Sequence, residues 1–233
     1  MDYLREKRFK RIIVAADDGT LLGMVNQRDL IDISYAKWAN MLRERADELG
    51  ELVRLLERKT DNFRRIAETD QLTHCFNRNK MDEALANEIN RFNRYNSARF
   101  SAAFLDIDHF KTINDVHGHL CGDHVLKQLV GVVQESIRDV DLFARWGGDE
   151  FILLMPSSSL DNAVHQVERI RQIVYAQHFE DVGAVSVSIG VAEYQKNESQ
   201  ESFINRMDQA LYEAKYKGRN RVEVSQLGEV KSA

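Results

Sequence analysis

The run Leu142 to Pro156, LFARWGGDEFILLMP, sets two apolar stretches on either side of Gly147-Gly148 and follows the glycines at once with Asp149 and Glu150. Glycine supplies the positive φ that a tight hairpin loop demands, so the stretch reads as two antiparallel strands apolar enough to be buried. Acids at a turn are ordinarily just solvated. Two carboxylates crowded onto the tip of a buried hairpin also suit a site that needs negative charge, and the rest of the chain must choose between these readings.

From Asp70 onward the apolar pattern alternates between helical and strand periods. Amphipathic helices are expected at 77–95, 120–138, 160–177 and 203–217, and strands at 100–106, 142–146, 150–155, 185–191 and 221–224. This is an α/β pattern with the hairpin at its centre, and Pro156, the only proline, ends the second hairpin strand. With 233 residues, 43% of them hydrophobic, the chain can bury a real core and carry something beyond one domain. A net charge of −5 argues against a nucleic-acid-coating surface, so any phosphate-binding region must be local. Cys75 and Cys121 are too few for a disulfide framework and lack metal-ligand spacing with histidine, which fits a reducing cytoplasm. No stretch approaches the roughly 20 apolar residues of a membrane helix, and Asp2, Arg5, Glu6 and Lys7 leave no apolar signal core. No membrane partner is expected for this chain.

Residues 1–34 have a different texture. KRIIVAADDGTLLGMVNQRDLIDI reads as strand, Asp-Gly turn, strand and the start of a helix. It resembles the second half of a CBS motif, a regulatory module for adenine nucleotides, in the G-x-V-x-x-x-D-L run from Gly23 to Leu30. Asn26 stands where that family has Ser or Thr, three residues before Asp29, so the piece reads as a truncated sensor rather than a nucleotide site. Residues 35–69 hold no proline and only Gly50, which favours one long helix. Leu42, Leu49, Leu56 and Phe63 recur every heptad, with Ala46, Val53, Thr60 and Ala67 as the companion row. Leucine at d and smaller residues at a describe a parallel, dimerising coiled coil; the alternative is an amphipathic helix lying on its own domain. A second apolar row, Trp38, Leu52 and Ile66, is interrupted by Arg45 and Lys59 and suggests a shiftable register.

The stretch FSAAFLDIDHF stays apolar until Asp106 and Asp108. Residues two apart on a strand share a face, and buried acids are unfavourable unless paired or metal-bound, although Asp108 also suits a turn or capping role. If the hairpin pairs beside this strand, Asp149 and Glu150 reach the same edge as Asp106. Such hard oxygen ligands suit Mg²⁺ with positions open for substrate phosphates. Lys215 and Arg219 lie four apart at a helix end where Gly218 is a natural stop, and Lys111 follows the acidic strand. Each is a candidate phosphate partner, though basic residues at a helix C-terminus also simply complement the dipole. Asn114 and Asp123 offer an amide and a carboxylate able to read guanine. The stretch from Asn114 around Gly118 and Gly122 reads as a loop leading into a helix, with His109, His117 and His119 as its polar filling.

Several blocks now stand in order: DQLTHCFNR at 70–78, DIDHFKTINDVHGHLCGD at 106–123, RWGGDEF at 145–151, VSIGVA at 187–192 and ALYEAKYKGRN at 210–220. Together they resemble the GGDEF family, the diguanylate cyclases, over residues 70–224. The resemblance implies an α/β (α+β) fold like the nucleotide cyclases and polymerase palms, a mostly antiparallel central sheet flanked by helices, after an N-terminal coiled-coil helix. The implied organisation is a partial CBS-like segment at 1–34, the coil at 35–69, the catalytic domain at 70–228 and a tail at 229–233. By the same resemblance Asp106, Asp149, Glu150 and the Ile107 carbonyl would ligate Mg²⁺, with Mn²⁺ an alternative. Asp149 or Glu150 would take the 3′-hydroxyl proton, a choice the sequence leaves open. Gly147 and Gly148 would admit the nucleotide closely. Phe110, Lys111, Lys215 and Arg219 would hold phosphate, and Asn114 and Asp123 would recognise guanine. The implied reaction joins two GTP into cyclic di-GMP with release of two pyrophosphates, in a homodimer; the alternative is a catalytically silent GGDEF domain that senses cyclic di-GMP or GTP. Arg138 and Asp141 match the family's R-x-x-D product-inhibition motif, with Arg169 as the supporting arginine.

Overall fold

The computed structural model describes residues 11–95, 99–180 and 182–225. Residues 1–10 and the expected tail at 229–233 lie outside them. The chain divides into two compact units, Met1–Asn62 and Phe63–Ala233.

In the first unit, β1 (Arg11–Ala15) and β2 (Leu21–Asn26) form an antiparallel hairpin. Its turn is closed by the Thr20 amide donating to Asp18 Oδ1 at 2.9 Å, with Gly19 at φ 84°. A single helix follows, α1 (Gln27–Glu68), running for 42 residues. Residues 27–34, read from sequence as part of the N-terminal segment, are its first turns. No residue of α1 is buried, and the heptad leucines Leu42, Leu49 and Leu56 are 61%, 62% and 56% exposed.

The second unit begins with β3 (Phe76–Asn77), α2 (Arg78–Tyr95), β4 (Ser101–Ile107), α3 (Phe110–His117) and α4 (His119–Gln134). It continues with the hairpin β5 (Leu142–Gly147) and β6 (Glu150–Met155), α5 (Leu160–Ala176), and the short pair β7 (His178–Phe179) and β8 (Gly183–Ala184). The chain then forms β9 (Val187–Glu193), α6 (Gln200–Tyr216) and β10 (Val222–Val224). Six strands make one sheet in the order β10-β9-β4-β6-β5-β3. The inner pairings β9-β4, β4-β6 and β6-β5 are antiparallel, and only the outermost strands pair in parallel. This is the mixed, mostly antiparallel sheet flanked by helices that the resemblance implies.

Every residue of β4 is buried, because the strand has a core on each face. Ala103, Leu105 and Ile107 pack with Leu126, Leu129 and Val133 of α4 and Val167 and Ile170 of α5. Ala102 and Phe104 face the other way, onto Met81 and Leu85 of α2 and Phe203, Met207 and Leu211 of α6. Alternation along the strand thus continues both cores to its end.

Two expectations need correction. The stretch from Asn114 around Gly118 and Gly122, expected as a loop leading into a helix, is instead the end of helix α3, which stops at Gly118 with φ 84°, and the start of α4 at His119. The next helix ends at Gln134 rather than 138. Past it, the Ser136 hydroxyl donates to the Val132 carbonyl at 2.8 Å, and the Arg138 amide donates to Asp141 Oδ2 at 3.0 Å, so local polar bonds replace further helix. The strands and helices elsewhere lie within a few residues of their expected limits. α6 starts earlier, at Gln200, because the Ser199 hydroxyl caps it by accepting from the Ser202 amide at 3.1 Å.

Gly190 marks where α6 seats on the sheet: a Cβ there would lie 2.9 Å from the Ala210 carbonyl carbon and closer still to the backbone of Met207 and Leu211. Since no flexible side chain is available to yield, Gly190→Ala is expected to lower unfolding free energy by about 3 kcal/mol. A denaturant midpoint shift read at constant m-value checks this.

Candidate active site

The antiparallel register of β4 and β6 sets Asp106 opposite Glu150. Both carboxylates therefore emerge at the same end of neighbouring central strands. Asp106 is buried, and the Lys215 ammonium from α6 lies 2.8 Å from its Oδ2. Burial pushes the Asp106 carboxyl up to about 6; the Lys215 contact works against this, and the nearby charges of Asp149 and Glu150 add to it. Burial also raises Glu150, with Lys215 opposing and Asp149 and Asp208 reinforcing the shift. Asp106 and Glu150 thus share one lysine, with Asp149 adding negative charge beside them, an arrangement that favours a further cation. A groove of about 640 Å³ opens beside Glu150, between Phe104, Trp146, Asp82 and Asp208, with the Arg78 guanidinium 4.2 Å over the Trp146 ring.

The hairpin tip is held from behind. Gly148 takes φ 57°, and its carbonyl accepts from Arg145 Nε at 2.8 Å. The same guanidinium donates to both oxygens of Asp70, at 3.1 and 3.3 Å. Asp70 in turn accepts from the Thr73 amide and hydroxyl at 2.9 and 2.8 Å. Burial works to raise the Asp70 carboxyl, but the Thr73 donors and Arg145 together hold it below its usual value. Just before it, Asn77 Nδ2 donates to the Ala67 carbonyl at 2.8 Å, and Lys80 pairs with Glu68 at 3.1 Å. Ala67 and Glu68, the part of the helix that belongs to the second unit, are thereby fastened to β3 and α2, and Asp70 through Arg145 to the hairpin. Reading from sequence assigned no role to Arg145 or Asp70, although each lies in a quoted block; an arginine beside a Gly-Gly turn and an aspartate opening a turn were the available signals.

Asp108 departs from the shared-face expectation. The strand stops at Ile107, and Asp108 turns to accept from the Ser186 and Ser188 hydroxyls, both at 2.6 Å, and from the Asn220 amide at 3.0 Å. Asp106, not Asp108, therefore faces Glu150 and Lys215.

The remaining candidates fall into three places. At the corner between α3 and α4, Gly122 lets Asn114 lie against the helix: a Cβ there would collide with the Asn114 amide and stand 3.2 Å from the Phe110 ring. Asp123 is the next residue, and Lys111 is exposed on the first turn of α3. Arg219 is exposed just past α6, with its amide bonded to the Ala214 carbonyl at 3.0 Å. Elsewhere, Arg138 is exposed and Asp141 buried in the loop before β5, where Asp141 Oδ2 accepts from Gln166 at 2.6 Å. Asp141 Oδ1 is buried with no hydrogen-bond partner. Arg169 of α5 donates to the Ser136 carbonyl, which brings it to the loop that carries Arg138.

Among the described residues, no group of three or more His, Cys, Asp or Glu is gathered to cage a metal alone. Two all-oxygen carboxylates on adjacent strands nonetheless suit Mg²⁺, which keeps several waters and takes substrate phosphates as ligands. The Asp106–Glu150 pair fits such an ion.

With this geometry in place, the chain's relatives become informative. The family described as diguanylate cyclase, GGDEF domain, matches residues 67–221. The chain belongs to this GGDEF family, whose domain is a nucleotidyltransferase-type cyclase. It is 38% identical over 187 residues to diguanylate cyclase DgcP of Pseudomonas aeruginosa, covering 79% of this chain and 28% of the relative. It is 36% identical over 173 residues to response regulator PleD of Caulobacter vibrioides, covering 72% of this chain and 38% of that one. Against the crystal structure of the coiled coil and GGDEF domain of DgcB from Caulobacter crescentus in complex with c-di-GMP, the TM-score is 0.73 at 34% identity, over 78% of this chain and 98% of that one. The chain spans 28% of the length of DgcP and 38% of that of PleD.

Because the folded state raises the pKa of Glu150, it favours the protonated acid and loses stability as pH rises through the folded value. Glu150→Gln removes that loss, and is expected to raise the melting temperature at pH 7.5 by about 2 °C, with the gain shrinking below pH 4.5. Thermal melts at the two pH values check the sign. Arg145→Lys keeps the charge but not the two-sided reach, and is expected to cost about 1–3 kcal/mol by urea titration.

Proposed function

We propose that this chain is a diguanylate cyclase that condenses two GTP into cyclic di-GMP and two pyrophosphates, working as a homodimer with Mg²⁺, or Mn²⁺ in its place. The observation that carries the reading is the Asp106–Glu150 register with Lys215 at 2.8 Å from Asp106. It unites a hard-cation site and a phosphate partner at one strand end, beside a glycine tip exposed enough for a nucleotide to approach.

In this reading Asp106, Asp149, Glu150 and the Ile107 carbonyl would hold the metal, which when bound would supply Lewis-acid polarisation of the phosphate. Asn114 and Asp123 grip guanine, discriminating it by an amide and a carboxylate. Phe110 and Lys111, at the start of α3, together with Lys215 and Arg219, hold the polyphosphate and balance charge on the departing pyrophosphate. Glu150 or Asp149 would remove the 3′-hydroxyl proton. Gly147 and Gly148 leave room for the ribose and phosphates.

Each domain holds one nucleotide, so two must face each other. Orienting two bound reactants contributes on the order of 7–11 kcal/mol where alignment is good. The exposed heptad row of α1 supports a parallel coiled coil between two copies, tethering the domains at high effective concentration. The reading divides the chain into a partial CBS-like regulatory segment at 1–34, the coil at 35–69, the cyclase domain at 70–228 and a tail. Among the described residues no helix is long and apolar enough to cross a membrane, and a cytoplasmic site of action accords with the nucleotide substrate. Arg138, Asp141 and Arg169 form the product-inhibition site, the Arg169 bond to the Ser136 carbonyl bringing its guanidinium to the loop that carries Arg138.

Purified protein incubated with GTP and Mg²⁺ is expected to yield cyclic di-GMP by mass spectrometry, and the Asp149→Ala/Glu150→Ala protein none. A dimer that binds GTP yet makes no product at any metal concentration would count against the assignment. Arg138→Ala is expected to relieve inhibition by added cyclic di-GMP, read as an unchanged initial rate at product concentrations that suppress the parent.

A further inference from the structure

Three consecutive residues after α6 hold positive φ: 112° at Gly218, 60° at Arg219 and 47° at Asn220. Gly218 accepts this freely, but Arg219 and Asn220 each carry a Cβ that the left-handed region crowds. Backbone of this kind persists only where its surroundings hold it. Two side chains from other elements do so, and both act on Asn220. The Asn220 amide donates to Asp108 Oδ2 at 3.0 Å. Its side-chain carbonyl accepts from Arg171 of α5 at 2.6 Å.

Neither holder is itself loose. Asp108 is 5% exposed, its oxygens also accept from Ser186 and Ser188 at 2.6 Å, and its amide donates to the Ser186 carbonyl at 2.9 Å. Arg171 is braced by Glu168, with Nε at 2.9 Å and its second terminal nitrogen at 2.6 Å. Asp108 also stands two residues past Asp106, while Asn220 adjoins Arg219 and closes the turn after Lys215. One buried carboxylate therefore ties the acidic strand end to the basic turn, and no contact within the hairpin is needed for it.

We propose that Asp108 and Arg171 are positioning residues for polyphosphate: through Asn220 they clamp the left-handed turn that bears Arg219 and follows Lys215, and so set both cations at the acidic strand end. This rests on reading Lys215 and Arg219 as phosphate partners. Asn220 is held at both its backbone N–H and its side-chain carbonyl, which fixes the turn in two directions at once.

The test compares binding of GTP with binding of GMP to this 233-residue chain, by competition against a fluorescent guanine nucleotide, in Ca²⁺ so that turnover does not intervene. Arg171→Gln, Asn220→Gly and Asp108→Ala are expected to weaken GTP by about tenfold and leave GMP nearly unchanged, because only GTP carries the β- and γ-phosphates. Asp108→Asn is expected to stay near the parent, since its amide oxygen can still accept from the Asn220 N–H while its NH₂ donates to a serine hydroxyl. Equal weakening of GTP and GMP, or unchanged GTP in Arg171→Gln and Asn220→Gly, would overturn the clamp even if Asp108→Ala fails to fold. Lys215→Ala and Arg219→Ala separate the two levels. If they weaken GTP selectively and the clamp variants do not, the clamp alone is wrong; if they leave GTP unaffected, the phosphate reading fails and takes the clamp's role with it.

Discussion

The pairing of β4 with β6 is the constraint on which the site depends. A strand side-chain period of two means that a slip of one residue would turn every side chain of one strand to the opposite face. Here the register is enforced by burial on both sides of β4, since Ala103, Leu105 and Ile107 belong to one core and Ala102 and Phe104 to the other. The apolar cores thus decide where the acids go: with Leu105 opposite Phe151, Asp106 must stand opposite Glu150. Charge that would be unfavourable almost anywhere else in the sheet is tolerated there because Lys215 reaches it from α6.

That lysine depends on a different packing event. Gly190 lets the backbone of α6 come down onto β9, and the helix then delivers Lys215 near its C-terminus to the end of β4. Beyond the helix, the Asp108–Asn220 bond binds the turn back to the same strand. The opposite edge of the hairpin is steadied by Arg145, which grips the Gly148 carbonyl and Asp70 together. The tip that carries Asp149 and Glu150 is therefore fixed by polar contacts to segments distant in sequence, while its own glycines leave its surface free. Rigid support with an open front is the arrangement that preorganised electrostatics requires.

Much of this was legible in the chain. Strand and helix periods located nearly every major element, because each buries a face and the apolar spacing records which one. The acidic hairpin, the basic helix end and the Asn114 and Asp123 corner were found because unusual polar residues interrupt apolar patterns. Other features left weaker traces. The helix α3 spans only eight residues, and its core-facing Phe110 and Ile113 are only partly buried, so too few positions repeat to mark a helix apart from a loop. The early end of α4 depends on Asp141 folding back onto the Arg138 amide, a contact no propensity encodes. Arg145 and Asp70 are separated by 75 positions, and their salt bridge arises only when β3 and β5 pair.

What the sequence by itself determined is the inventory: which segments are strand or helix, which residues bring charge to an apolar setting, and the GGDEF family to which those blocks belong. These are local properties, set by side-chain chemistry and spacing along the chain. The tertiary structure decided how equivalent-looking residues divide their work. Asp106 and Asp108 are two apart in one apolar run, and periodicity alone treats them alike. Only the end of β4 at Ile107, and the arrival of Ser186, Ser188 and Asn220 from elsewhere in the fold, turn one into a buried structural anchor and leave the other facing Glu150 and Lys215. Partners remote in sequence choose the role of a polar group, because its free energy is set by what surrounds it after packing, and only the packed chain brings those partners within hydrogen-bonding distance.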